Sequence, residues 1–518
     1  MRLTTENRMT VSAVVELPVA EVETAPSKWW PSGRVVVAIC LLVGFAFRVG
    51  VYVRDSSLWI DEAMLALNVV NRSPAELMKP LDWNQGAPLG FLMASKAVIT
   101  ILGDNERAMR TIPFLASLAG LLIFPAFAYR AMPIPIARLA TILFALSPNL
   151  IGYAAEFKQY ELDATIAVGL LALGLPMANG PRAAWRSIAL AFVGAMAVWC
   201  SHPSVFVLGG VGLAILADAI ARRDWRASWI RLIVVGCWLA SFAACYLVFL
   251  RHLGLNAYLL DYWAGTFLPL PPTRPGDLAW IVHHYFVFFD NPCGMNGEFG
   301  LSGFAGICFL VGCLTLAKTN WRLLIALLTP LLLALLASGL KKYPFAGRLM
   351  LFAVPLAIVG MAYGLNLISE QVGKAVAGGR WLILTIAFIG PISECNQLAK
   401  RPIHAENTRE AIAAVHAAWQ PGDRIYVFYG AVPAFEYYRS RYPIPVDTAV
   451  IGVENRGKDP RQFREEMSVL RGQKRVWILM AHRQTHEEAA MRAYLDGYGK
   501  GEIIMRGTDA VVMLYDLS

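Results

Sequence analysis

Long apolar runs recur along this 518-residue chain and constrain its fold more than any other feature. Hydrophobic residues make up 57% of the chain and charged residues 16%, a balance typical of membrane proteins. Runs long enough to cross about 30 Å of hydrocarbon lie at 34–53, 109–130, 137–152, 162–179, 187–202, 204–221, 229–250, 301–317, 322–340, 346–366 and 381–396. The sequence therefore predicts an all-α polytopic membrane bundle of about 11 transmembrane helices with additional interfacial helices.

The apolar run 87–103 is shorter, contains Lys96 and follows the polar stretch "DWNQGAP". We predict a helix that lies in the outer interface instead of crossing the membrane. With this assignment, every connector on the side of the N-terminus is basic, as the positive-inside rule requires of the cytoplasmic face. These connectors contain Arg130, Arg138, Arg182, Arg186, Arg222, Arg223, Arg226, Arg231, Lys318, Arg322, Lys374 and Arg380.

The basic connectors therefore account for the net charge of +9. They predict a protein of the plasma membrane whose N-terminus is cytoplasmic. No basic stretch is interleaved with stacking aromatic residues, which argues against nucleic acid as a partner. Residues 1–33 are polar and mixed in charge, so we expect a disordered cytoplasmic tail and not a signal peptide.

The last 120 or so residues differ in character, because charged residues become frequent and helical and strand patterns alternate. "DRIYVFYG" and "RVWILMAH" read as strands, "GEIIMRG" with "AVVMLYDL" as a closing pair, and "NTREAIAAVHAAW" as a helix. We predict a transmembrane domain at 34–399 and a small extracytoplasmic (periplasmic) α/β domain at 400–518. This region has neither a GxGxxG nor a Walker loop, which argues against nucleotide binding.

The stretch "LWIDEA" places Asp61 and Glu62 side by side just after the first apolar run. Carboxylates beside a hydrophobic segment are costly unless they are hydrated, paired or used in chemistry. Asp61 is therefore the first candidate for a catalytic residue, with Glu62 beside it. The structural alternative is an external helix that Asp55 or Ser57 caps, with the two acids in its first turn.

A second polar cluster lies in "YAAEFKQYELD" and contains Glu156, Lys158, Tyr160, Glu161 and Asp163. Because the run 162–179 starts here, Asp163 lies at or below the hydrocarbon boundary, where a carboxylate usually faces a cavity and is functional. Tyr160 and Asp163 are three residues apart and share a helical face. A structural ion pair of Lys158 with Glu161 or Asp163 is the alternative.

A third cluster, Lys341, Lys342, Tyr343 and Arg348, precedes the run 346–366. Basic residues at the outer boundary suit a phosphate carried on a lipid, which arginine can bind through two hydrogen bonds. Snorkelling at the interface is the alternative. His202 in "CSHPS" is a further candidate for substrate contact, and a divalent metal with unassigned ligands stays open.

The acidic and basic clusters lie on one face of the membrane. This arrangement suggests that a carboxylate, acting as the general base, faces a leaving group that is a phosphate carried on a lipid. A general base on the acceptor and cations on the departing phosphate are the main requirements for transferring a sugar from such a lipid.

Several stretches resemble the GT-C superfamily of membrane glycosyltransferases that use polyprenyl-phosphate sugars, which includes protein O-mannosyltransferases and lipid A aminoarabinose transferases. The resemblance covers about residues 35–400 and is carried by "LWIDEA", "GAPLGFLMASKAVITILGDNERAMRTIPFLASLAGL", "ALSPNLIGYAAEFKQYELDA", "HPSVFVL" and "KKYPFAGRLMLFAVP".

The resemblance implies that Asp61 occupies the position of the first-loop catalytic acid and Asp163 that of a second acid near the substrate. It places Lys341 and Arg348 toward the lipid phosphate. The chain departs from several relatives that carry Glu-Lys before a proline, since Gly86 and Ala87 precede Pro88. Lys96 or the 341–348 segment must then supply the missing phosphate contact, or the donor sits differently.

We therefore predict a glycosyltransferase that moves a sugar from a polyprenyl-phosphate donor to a lipid, glycan or protein acceptor at the outer face, with inversion. The alternatives are a carrier or lipid-handling protein without bond chemistry, and an assembly scaffold. The predicted catalytic residues are Asp61, Glu62 and Asp163. The predicted substrate-binding residues are Glu156, Lys158, Tyr160, His202, Lys341, Tyr343 and Arg348.

Overall fold

The computed structural model describes residues 33–175, 183–253, 256–401, 404, 406–454 and 460–518. The predicted tail, apart from Gly33, and the connector residue Arg182 lie outside the described residues. The helices up to residue 400 are α1 Gly33–Val53, α2 Ile60–Asn71, α3 Leu89–Leu102, α4 Glu106–Ala131, α5 Ile134–Ala145, α6 Pro148–Gly152, α7 Tyr160–Gly174, α8 Ala183–Cys200, α9 Ser204–Ala221, α10 Trp225–Cys245, α11 Arg251–Leu253, α12 Ala257–Tyr262, α13 Pro275–Asp290, α14 Ser302–Thr319, α15 Trp321–Gly339, α16 Val354–Ala375 and α17 Gly379–Lys400.

The predicted helical membrane bundle is confirmed, but the number of about 11 spans is not. In the described part of the chain, eight helices are long and apolar enough to cross a membrane, and a bent pair raises the number to nine. The bent pair is α5 with α6, which meet at 48° because Pro148 cannot continue the helix before it. The predicted spans 162–179 and 187–202 correspond to α7, which has 15 residues, and to α8, whose apolar part is also short.

The run 87–103 forms α3, whose 14 residues are too few for a span. Its Lys96 ammonium donates hydrogen bonds to the carbonyl oxygens of Val69 and Val70, at 2.9 and 3.1 Å. These carbonyls belong to the last turn of α2, where the helix leaves acceptors unpaired. Lys96 thus satisfies the end of α2.

The centre of the bundle is α16, in which 12 consecutive residues, from Val354 to Leu365, are buried. It packs against α14 at glycines, and a Cβ on Gly312 would collide with the carbonyl oxygen of Gly360. Such small residues let two helix backbones approach closely where lipid provides no hydrophobic drive for association.

The described residues between 404 and 518 form a C-terminal unit with one five-stranded sheet. Its strands are β1 Arg424–Val427, β2 Ala449–Ile451, β3 Val476–Met480, β4 Lys500–Arg506 and β5 Val511–Asp516, in the order β2-β1-β3-β5-β4. Its helices are α18 Thr408–Ala418, α19 Val432–Tyr438, α20 Pro460–Ser468 and α21 Thr485–Leu495. Strands β2, β1 and β3 are parallel to one another, while β5 is antiparallel to both β3 and β4. This confirms the predicted α/β character and the closing pair. The three-residue strand β2 is too short to have left a pattern in the sequence.

The C-terminal unit packs on the end of the bundle that carries α2. Phe435 and Tyr438 of α19 share a buried cluster with Leu58, just before α2, and with Ala63 and Leu65 of α2. Arg409 and Arg441 of the unit each form an ion pair of 2.8 Å with Glu106 at the start of α4. The start of α2 is therefore enclosed between the bundle and the C-terminal unit.

Candidate active site

The three polar clusters predicted from the sequence meet at one cavity of about 1140 Å³. The cavity lies between α2, the start of α7, the 341–348 segment and the C-terminal unit. Of the predicted site residues, it is lined by Asp61, Lys158, Tyr160, Asp163, His202, Lys341, Tyr343 and Arg348. Glu62 and Glu156 are not among its lining residues.

Asp61 is the second residue of α2 and forms an ion pair with Arg348, which lies in the helical turn before α16. The Arg348 guanidinium also lies over the rings of Trp59 and Tyr160, at 5.1 and 5.8 Å from their centroids. A guanidinium between two aromatic faces and a carboxylate keeps one orientation. The pair is thus fixed on the cavity wall.

Lys158 is the second cation beside Asp61, and its side chain is buried. Its ammonium donates a 2.6 Å hydrogen bond to Oε1 of Gln85, so the predicted alternative of an ion pair with Glu161 or Asp163 is not formed. Burial lowers the pKa of Lys158, which Asp61 opposes. Through Gln85, the charge of Lys158 lies beside the stretch in which Gly86 and Ala87 precede Pro88, whereas Lys96 bonds to the end of α2.

The pKa of Asp61 results from opposing effects. Burial raises it, and the charges of Lys158 and Arg348 lower it by more, so the net direction is downward. Asp61 is therefore ionised at neutral pH and can accept a proton.

Asp163 and His202 line the cavity with buried polar atoms, and the Ser201 side chain is the neighbour of the Asp163 carboxyl group. Asp163 Oδ1 and His202 Nε2 are buried, and neither has a hydrogen bond among the described residues. Burial lowers the pKa of His202 to about 4, so its ring is neutral at pH 7. An unpaired buried polar group costs about 1–3 kcal/mol, which a bound ligand or water recovers.

The Glu62 side chain does not line the cavity, and its contacts connect the segments that surround the cavity. Its carboxylate accepts two hydrogen bonds from Arg110, at 2.8 and 2.5 Å, and one of 2.5 Å from the backbone N–H of Phe157. The side chains of Glu62 and Arg110 are 1% and 4% exposed, so the charges are compensated away from solvent. Glu62 therefore ties α2 to α4 and to the segment that carries Lys158.

Glu156 and Tyr343 also make contacts within the protein. Glu156 Oε2 lies 3.1 Å from Nδ1 of His404, while Oε1 has no partner in the described part of the chain. The Tyr343 hydroxyl donates a 2.5 Å hydrogen bond to the carbonyl of Leu349 and so fixes the 341–348 segment. Lys341 and Lys342 are exposed at the cavity.

The C-terminal unit lines the cavity with residues that the sequence did not single out, among them His482, Arg483 and Asp509. His482 follows β3, at the carboxyl end of a parallel strand. Ligands of α/β sheets bind at that edge. The polar stretch after "RVWILMA" is the signal that could have identified it.

One described group can hold a divalent cation. Glu406, His482 and Asp509 each offer a ligand atom, and these atoms lie within 4.8 Å of one another. His202 and Asp61 are not part of that group.

No protein-family model and no curated protein sequence matches this chain. Solved structures do match. ArnT from Cupriavidus metallidurans bound to undecaprenyl phosphate has a TM-score of 0.54 and 13% identity, over 94% of this chain and 98% of its own. Its apo state has a TM-score of 0.51 at 12% identity, over 93% and 97%. The Archaeoglobus fulgidus oligosaccharyltransferase in complex with Zn and sulfate has a TM-score of 0.52 at 12% identity, over 92% of this chain and 73% of its own.

The chain has the GT-C fold. The resemblance seen in the sequence over about residues 35–400 is thereby confirmed at the level of the fold. At 12–13% identity, the structural match carries the fold and no residue roles.

Proposed function

We propose that this protein is a membrane glycosyltransferase that moves a sugar from a polyprenyl-phosphate donor to an acceptor. The observation that carries the proposal is the ionised Asp61 between Arg348 and Lys158 on the wall of a large cavity. A negative base next to two cations suits a reaction in which a proton is removed and a phosphate departs. ArnT, which shares the fold, was crystallised with undecaprenyl phosphate.

In the proposed step, Asp61 accepts the proton of an acceptor hydroxyl or amine. The acceptor atom bonds to the anomeric carbon from the face opposite the phosphate, the bond from carbon to phosphate oxygen breaks, and the anomeric configuration inverts. The electron pair stays on the phosphate, whose negative charge Arg348 and Lys158 stabilise, with Lys341 and Lys342 at the cavity.

The same two cations hold the base inactive until the donor arrives. While Arg348 and Lys158 face only Asp61, they keep its pKa low and its carboxylate a weak base. When the donor phosphate pairs with both cations, their interaction with Asp61 weakens. The basicity of the Asp61 carboxylate therefore rises when the substrate is present. This arrangement couples donor binding to activation of the acceptor.

The unpaired atoms of Asp163 and His202 are the proposed contacts for sugar hydroxyls. A carboxyl group and a neutral imidazole ring can each exchange a hydrogen bond with a hydroxyl group, so the two side chains suit a sugar. Tyr160 lies on the same helical face as Asp163 and holds Arg348. Glu62 and Glu156 act in this scheme through Arg110 and His404, and not by touching the reacting atoms.

We also propose the topology in which this reaction faces outward. The basic connectors support a cytoplasmic N-terminus, with the bundle at 34–399 as the catalytic domain and residues 400–518 as an extracytoplasmic domain. Cysteine labelling from either side of the membrane, for example at exposed Asp447 and Arg223, tests this orientation.

Transfer of radiolabelled sugar is the decisive experiment. Membranes with the wild-type protein, Asp61→Asn or Asp82→Asn are given a panel of polyprenyl-phosphate sugars, with and without EDTA. Asp82 is a matched control because its side chain is 70% exposed and pairs only with Arg72 among the described residues. We expect label transfer by the wild type and Asp82→Asn and not by Asp61→Asn. Full activity of Asp61→Asn would contradict the proposal, and solute movement without any transfer would favour a carrier.

A further inference from the structure

The helix that carries Asp61 has only part of a local cap, in which Glu62 Oε2 accepts the N–H of Trp59 at 3.3 Å. Its N-cap residue is Trp59, whose side chain accepts no hydrogen bond from the first turn. Asp55, one of the caps expected from the sequence, instead faces Arg107 and Arg409. Ser57, the other, donates its hydroxyl to the carbonyl of Glu406 at 3.1 Å. The first N–H groups of a helix need acceptors, so they must be supplied from elsewhere.

The C-terminal unit supplies an acceptor to the first residue of α2 and another to the chain just before the N-cap residue. The N–H of Ile60, the residue next to Asp61, donates to Glu406 Oε2 at 3.0 Å. The N–H of Leu58 donates to the Tyr438 hydroxyl at 2.8 Å. Both acceptors are buried, at 4% and 0% exposure, so water does not replace them. The start of α2 is thus capped by residues more than 300 positions away in the chain.

His482 holds the capping carboxylate in place. Its Nδ1 lies 2.7 Å from Glu406 Oε1. Each carboxylate oxygen of Glu406 therefore has a partner, His482 for Oε1 and the N–H of Ile60 for Oε2. His482 also lines the cavity, while Glu406 does not. The ring of Trp59 stacks on the ring of His404, with the two centroids 4.0 Å apart. The Arg348 guanidinium lies over the Trp59 ring, 5.1 Å from its centroid. The same turn therefore positions both members of the Asp61–Arg348 pair.

We propose that Glu406 and His482 are positioning residues for Asp61, so that the C-terminal unit completes the active site by capping the helix that bears the base. This inference rests on the proposed function for its effect on catalysis. A first turn without acceptors frays, and Asp61 then loses its fixed distance to the acceptor atom. A displacement of about 1 Å costs up to about a hundredfold in rate.

Kinetics separate positioning from binding. Glu406→Ala and His482→Ala should lower kcat by about tenfold or more and raise the KM for the lipid donor by a smaller factor, because Lys158 and Lys341 are untouched although the turn before α2 also contacts Arg348. His482→Asn should recover most of kcat, since its amide nitrogen can occupy the place of Nδ1. His416→Ala is the matched control: it lies in the same unit, is exposed, and bonds only to the Pro443 carbonyl among described residues.

Hydrogen exchange tests the cap without any transfer reaction. In the full-length protein, peptides that cover residues 56–71 should exchange faster in Glu406→Ala and His482→Ala than in the wild type, His416→Ala or His482→Asn. If the wild type transfers no sugar, the proposed function fails while this measurement still tests the cap. Unchanged exchange overturns the inference, as does faster exchange with unchanged kcat. Failure of His482→Asn to restore kcat overturns the role of the Nδ1 hydrogen bond.

Discussion

Asp61 and Arg348 are 287 positions apart in the chain and form an ion pair on the cavity wall. Asp61 belongs to the first turn of α2, and Arg348 to the turn that leads into the buried central helix α16. The pair therefore connects α2, whose start the C-terminal unit encloses, to the turn before the most buried helix of the bundle. In the proposed reaction one member takes the proton and the other binds the phosphate.

Sugar transfer should require the guanidinium group of Arg348 and not only its positive charge. Arg348→Lys keeps the charge but loses the planar guanidinium that lies over Trp59 and can bind phosphate through two hydrogen bonds. We expect kcat/KM for the lipid donor to fall by about a hundredfold for both Arg348→Lys and Arg348→Ala. Initial rates of sugar transfer measure this effect. Arg424→Ala, on the surface of the C-terminal unit, should leave the rates unchanged, and wild-type rates in Arg348→Lys would contradict the assignment.

The pH dependence of transfer should report the low pKa of Asp61. A base must be ionised, so the acid limb of kcat/KM falls below the ordinary carboxyl value of 3.8 when Lys158 and Arg348 lower the pKa. Lys158→Gln removes one cation, and its acid limb should move to higher pH. Both profiles are measured in the His482→Asn background, so that the His482 imidazole does not titrate; His202, with a pKa of about 4, titrates in both profiles, and the test is the shift between them. An unshifted limb in the Lys158→Gln variant would argue against Asp61 as the base.

Glu62 should matter for stability more than for the reaction. Removing one partner of a buried ion pair costs about 3–5 kcal/mol, because the other charge stays buried without compensation. Glu62→Ala removes the carboxylate that pairs with Arg110 and accepts the N–H of Phe157, so we expect a melting temperature well below that of the wild type. Asp61→Asn and Glu76→Ala, an exposed acid, should melt close to the wild type. Thermal unfolding in detergent, followed by tryptophan fluorescence, measures the difference.

The sequence identified the polar clusters because charged residues at the ends of apolar runs are costly and therefore conspicuous. It could not separate Asp61 from Glu62, since adjacent helical residues point about 100° apart and the partner Arg110 belongs to another helix. Nor could it find Glu406, whose contact with Ile60 spans 346 positions. The number of about 11 spans stays a prediction, because hydropathy does not show that α7 has only 15 residues in the described part of the chain or that α5 and α6 bend.

Lys158 and Lys96 provide a matched test of which cation binds the donor phosphate. Both are lysines with buried or half-buried side chains, but Lys158 lines the cavity beside Asp61, whereas Lys96 bonds to the carbonyl oxygens that end α2. We expect Lys158→Met to raise the KM for polyprenyl-phosphate sugars by about tenfold or more, as expected for a lost charged contact to phosphate. Lys96→Met should leave that KM unchanged and lower the melting temperature slightly, because two helix-end carbonyls lose their donor. Steady-state kinetics with a synthetic short-chain donor distinguish the two. The reverse pattern would place the phosphate near α3 and require a different orientation of the donor in the cavity.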